Sequence, residues 1–114
     1  MKKFLVLFSA PVHVIDAWKA TPEEERKAAE GKMHAEWGAW MGKHGASITE
    51  TAGAGKTKLV DSKGVSDTRN DVMLYSVVQA EDHAAAAKMF EGHPHLIIPE
   101  SKIEVIEINP ITGM

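Results

Sequence analysis

Six histidines and no cysteine set the chemistry open to this 114-residue chain. Without thiols there is no thiolate nucleophile, no redox CxxC and no Cys-based zinc site. Imidazole remains, the side chain that changes charge near neutral pH. The tightest grouping is His93-Pro94-His95. In an extended segment residues two apart point to the same side, and proline stiffens the link, so both rings can face one cavity. Rings held that way can act as acid and base, or bind a metal. The plainer reading has His93 bonding the free carbonyls of a preceding helix end while His95 packs at the surface. Two histidines fall short of the third or fourth ligand that zinc wants, so no metal site is assigned and no motif calls for a cofactor.

His34 is the next candidate. On a helix running from Pro22 to His44, the charged residues Glu25, Lys32, Glu36 and Lys43 form one stripe, and His34 is the position most nearly opposite them, aimed at the sheet. Gly31, Gly38, Gly42 and Gly45 fall within about 60° of one another at helical spacing, joined by Ala28 and Ala35, a seam of small residues that lets a neighbour approach beside His34. Tyr75, the only tyrosine, can lend its hydroxyl to the same cavity or pack in a strand. Trp37 and Trp40 read as core or dimer-contact residues, and His44 and His83 as structural groups at helix ends. The stretch Ala52-Gly53-Ala54-Gly55-Lys56-Thr57 imitates a phosphate loop, but Glu50 stands where that motif needs its first glycine, so it reads as a turn.

The elements that position these residues follow from local signals. Phe4 to Phe8 is a short apolar run of the kind a buried strand has; it imitates a secretory signal but is shorter than the ~7–15 residues of an h-region. Residues 11–20 read as a loop carrying His13, Asp16 and Trp18, which then meets a capping box at Thr21-Pro22-Glu23-Glu24. Gly45 is expected to end the long helix in a left-handed turn. A strand over 46–51, a short return strand over 58–60 and an apolar strand over 71–79 at the centre of the sheet come next. Asp82 can cap a second helix from His83 to Glu91 with Gly92 as its stop, and Lys102 to Ile108 alternates as a last strand.

That order predicts one α+β domain over residues 1–114, a ferredoxin-like subunit with an antiparallel sheet and two helices on one face. The other face carries apolar residues at alternate positions of 72–78 and 103–108, so a homodimer is expected to bury it. A net charge of −3 argues against a nucleic-acid partner, and no apolar run approaches the ~18 residues of a membrane span. The expected location is the cytoplasm.

The block Val72-Met73-Leu74-Tyr75-Ser76-Val77-Val78-Gln79-Ala80, then Asp82 with an alanine-rich helix, His93-Pro94-His95-Leu96 and Ser101-Lys102-Ile103-Glu104-Val105, resembles the YCII-related family, also called DGPF-type proteins. The resemblance implies a dimeric α+β barrel with a cleft beside the helices. It also implies a catalytic or binding histidine on the first helix, which maps onto His34, with the HPHL element on His93 and His95. The Asp-Gly-Pro-Phe signature itself is absent; Ser66-Asp67-Thr68-Arg69 occupies roughly its place, and Asp67 is the available substitute. The expected function is a small-molecule enzyme using histidine acid–base chemistry in a cleft lined by His34, His93, His95, Asp67, Tyr75 and Trp37. The alternatives are a metabolite-binding or regulatory module without turnover, and a metal-binding protein acting through the HPH element.

Overall fold

Strand β1 (Lys2–Ser9) alternates as a two-residue period requires: Phe4, Val6 and Phe8 are buried on one side, and Leu5 and Leu7 are half-buried on the other. The computed structural model describes residues 1–112. β1 lies inside a four-stranded antiparallel sheet. It pairs with β5 (Val72–Ala80) on one side and β6 (Lys102–Glu107) on the other, and β2 (Ile48–Gly53) closes the far edge against β5. The order β2-β5-β1-β6 is the ferredoxin-like one, with the centre shared by β1 and β5.

A separate hairpin, β3 (Thr57–Asp61) and β4 (Gly64–Thr68), is inserted between β2 and β5. The return strand expected at 58–60 is therefore one half of a pair whose other half the sequence did not announce. The turn between them is held by the Lys63 amide, which donates to Asp61 Oδ1 at 2.8 Å, and by Gly64 at φ +124°. Only glycine adopts that conformation without strain.

Three helices cover the sequence between strands. Helix α1 (Val12–Lys19) forms where a loop was expected. Its first position is preceded by Pro11, which offers no side-chain acceptor, so the usual start signal is missing. Helix α2 (Glu23–His44) begins with three glutamates and ends with Lys43 and His44, matching its dipole at both ends. The expected capping box does not form. Pro22 takes the cap position, and Thr21 Oγ1 donates back to the Ala17 carbonyl of α1 at 3.0 Å. Gly45 keeps a helical φ of −57° and leads into a 3-10 turn at Gly45–Ser47 instead of turning left-handed.

Helix α3 (His83–Lys88) starts where expected, with the Ala85 amide donating to Asp82 Oδ1 at 2.7 Å, a cap worth about 1 kcal/mol. One more turn carries the chain to Gly92 at φ +69°, the left-handed stop. The core lies between the sheet and α2 and α3: Phe4, Val6, Phe8, Val78, Ala80, Ala86 and Phe90, with Trp37 and Trp40 packed against them. The opposite sheet face lies away from this core. Register brings Leu5 beside Val77 and Ile106, and Leu7 beside Tyr75, into one apolar surface. The radius of gyration is 16.2 Å, against about 13 Å for a compact domain of this length.

Candidate functional site

The left-handed turn at Gly92 delivers His93 into the core instead of a cavity. His93 and His95 are each 1% exposed. The segment is not extended: Pro94–Ile97 is a 3-10 turn, and the His95 amide donates to His93 Nδ1 at 3.0 Å. Nδ1 is thereby the acceptor, so the neutral ring carries its proton on Nε2. That Nε2 has no hydrogen-bond partner among the described residues. The ring stands perpendicular to Trp37 at 4.3 Å between centroids and steeply tilted to Trp40 at 4.6 Å. Burial, with lesser repulsion from His95 and His44, pushes the His93 pKa down to about 4, so it is neutral at pH 7.

His95 ties the same turn to the sheet. Its Nε2 donates to the Ser9 carbonyl at 2.9 Å, and its own carbonyl accepts from Ser101 Oγ at 3.0 Å. Burial lowers its pKa more than the carbonyls of Ser9 and Lys102 raise it. The two rings thus sit inside the packed layer, both against Phe8, and the shared cavity expected for them is not formed.

The other residues singled out in the sequence are dispersed. His34 is exposed on α2, and an added Cβ at Gly31, Gly38 or Gly42 would meet nothing within 4 Å. The inner face of α2 is centred on Trp37 and Trp40, with the charged stripe on one flank and the small seam on the other. His34 lies roughly 60° around the helix from Trp37, at the edge of that face toward the seam. Position opposite the charges was therefore the wrong criterion, because both flanks meet solvent. Trp37 is half-buried against His93.

Tyr75 stands on the open sheet face and donates its hydroxyl to Glu50, which, with some burial, raises the phenol pKa. Asp67 is exposed on β4 and pairs with Lys58 directly across the hairpin. His13 pairs with Glu100 at 2.9 Å. His83 stacks on Phe4, with its Nε2 2.7 Å from the Val105 carbonyl. Among the described residues, no three His, Asp or Glu side chains gather as a metal would need.

A concave feature of some size lies elsewhere. Helix α1, the turn after β2 and the base of the hairpin border an open cleft of about 760 Å³. Ile15, Val72 and Met73 give it apolar surface; Lys19, Lys56, Lys58, Asp67 and Arg69 give it charge. Arg69 makes a two-pronged contact to Asp16 of α1, at 3.0 and 3.3 Å, and its guanidinium holds the Asp16 carboxyl below the usual range. Asn70 fixes the hairpin base: Nδ2 donates to Thr57 Oγ1 at 2.9 Å, and Oδ1 accepts from the Val72 amide at 2.9 Å. Of the candidate site residues, only Asp67 lines this cleft. Lys56 was named only within the turn that imitates a phosphate loop, Arg69 only beside Asp67, and Lys19 not at all, because a helix at 12–19 and a strand at 64–68 are both needed to bring them together.

The strand order and the helices on one face define an α+β chain of ferredoxin-like topology. Within the described residues no helix is long and apolar enough to cross a membrane. No family model matches the chain, and no curated protein matches it. Among solved structures it is similar to the 5-chloro-2-hydroxyhydroquinone dehydrochlorinase TftG of Burkholderia phenoliruptrix AC1100, determined in complex with 2,5-dihydroxybenzoquinone. That likeness has 13% sequence identity over 91% of each chain and a TM-score of 0.49. At that identity and score it carries no chemistry across to this chain.

Proposed function

We propose that this protein binds a small molecule in the cleft between α1, the turn after β2 and the hairpin base. The observation that supports it is the cleft itself: about 760 Å³ is within the usual range for ligand pockets, and its walls combine apolar side chains with a few charged ones. The resemblance to the YCII-related family stays part of this reading, supported by the ferredoxin-like strand order. The test is amide chemical-shift mapping against a library of small aromatic and aliphatic compounds. Shifts gathering at Gly55, Asn70 and Met73 are expected; hits confined to other surfaces overturn the reading.

A second reading, histidine acid–base catalysis, has one observation in its favour. His93 holds a buried Nε2 with no partner among the described residues, beside Trp37. It requires the packed layer to open so that a substrate reaches the ring, with His34, His95 and Asp67 as further participants. Turnover of any ligand found by the mapping that survives His34→Ala and His93→Ala overturns it.

The working form is a homodimer closed over the open sheet face. Leu5, Leu7, Tyr75, Val77 and Ile106, the last 40% exposed, make that face costly to leave in water at about 25 cal/mol per Å². The extended outline of the single chain supports the same reading. Light scattering should return twice the chain mass at micromolar concentration, and a clean monomer there overturns the dimer.

A further inference from the structure

We infer that the cleft takes a small organic anion, a carboxylate or phosphate ester carried on an apolar body; this rests on the cleft being the binding site. The chain as a whole has more acidic than basic residues, 16 against 13, yet the cleft reverses the balance. Lys19, Lys56, Lys58 and Arg69 line it, with Asp67 as the one carboxylate in its wall. Asp67 pairs with Lys58, and Asp16 takes two N–H groups of Arg69, leaving three of that guanidinium's five donors. Lys19 and Lys56 have no ion-pair partner among the described residues, although Asp16 feels the charge of Lys19. Even with both aspartates counted, two positive charges are left over.

Concavity gives those charges their effect. Field lines from cations set in a cleft with apolar walls are less screened than on a convex surface, so an anion entering there is drawn in more strongly. The apolar side of the cleft, Ile15, Val72 and Met73, then asks for an uncharged body on the ligand. The fixed parts of the site are Asn70, which holds the hairpin base to β3 and β5, and Arg69, held to α1 by Asp16. The free parts are the two lysines, long chains able to close on an anionic head. Nucleic acid does not fit, since a cleft of this volume holds one or two rings and the rest of the chain is acidic.

Four probes of one size separate the possibilities: benzoate, phenyl phosphate, neutral benzamide and cationic benzylamine, each titrated into the full chain and followed by amide shifts. Benzoate, phenyl phosphate or both should move the amides around Gly55 and Asn70, weakening as salt rises, and the stronger of the two identifies the head group. Both lysines are exposed, so Lys19→Gln/Lys56→Gln should melt as the parent does while binding the anion about tenfold more weakly or worse. Benzamide binding as tightly as the anions overturns the charge preference and leaves the cleft. Anion binding undiminished in the double variant overturns the role of these lysines and the inference with it. No movement at the cleft with any of the four probes overturns both the anion and the cleft.

Discussion

Phe8→Ala is expected to cost about 3–5 kcal/mol, the range for deleting a fully buried aromatic ring. Phe8 is 1% exposed on an interior strand. Its ring meets Trp37, Phe90, His93 and His95 at centroid distances of 5.5, 5.9, 5.3 and 5.5 Å. It thus joins β1 to α2, to the turn after α3 and to the HPH element at once. The neighbours cannot all collapse into the space, because Trp37 is carried on α2 and His95 is held by its bond to the Ser9 carbonyl. Set against a total stability of about 5–15 kcal/mol, that loss is a large share, and it corresponds to a fall in Tm of about 10–20 °C. Urea unfolding of the variant at neutral pH measures it. A loss below 1 kcal/mol sinks the account of Phe8 as the keystone between the sheet and the histidine turn.

The legible parts of this fold are those whose signals are local. Asp82 bonds an amide three residues on, Gly92 takes a positive φ, and the apolar runs at Phe4–Phe8 and Val72–Val78 occupy interior strands. Each of these is decided by a few neighbouring atoms, so residue type alone carries the information. Helix α1 starts at a proline without a side-chain cap, and β4 is built from Gly64, Val65, Ser66, Asp67 and Thr68, exposed throughout and without alternation to read. Neither leaves a mark that a window of sequence can pick up.

The site was less legible for the same reason. Whether a histidine is inside or outside depends on what other elements bring to it. His93 and His95 are buried because Phe8 of β1 and Trp37 and Trp40 of α2 close over them, and none of these is near in sequence. His34 lies beside the inner face of its helix, and a charged stripe on one flank says nothing about a seam of alanines and glycines on the other. The cleft is assembled from residues near 15–19, 54–58 and 67–73, so it exists only once α1 and the hairpin do.

The burial of His93 has a consequence for acid stability whose sign is fixed. In the unfolded chain its imidazole titrates at the ordinary 6.5; in the folded chain burial lowers that to about 4. Above pH 6.5 the ring is neutral in both states and contributes no pH dependence. Between 6.5 and 4 the unfolded chain binds a proton that the folded chain refuses, so stability falls as pH falls, and below 4 the loss levels off. The gap corresponds to about 3 kcal/mol in all, and His95, shifted in the same direction by its burial, adds to it. His93→Asn removes the titrating ring while its amide oxygen can still accept from the His95 amide. The variant is less stable at pH 7, because it loses the packing against Trp37 and Trp40, but its stability should fall less steeply toward pH 4.5 than that of the parent. Urea midpoints at several values between pH 7 and 4.5 read both slopes. Equal slopes in parent and variant mean that the acid sensitivity lies in other groups and that His93 takes up its proton without leaving the core.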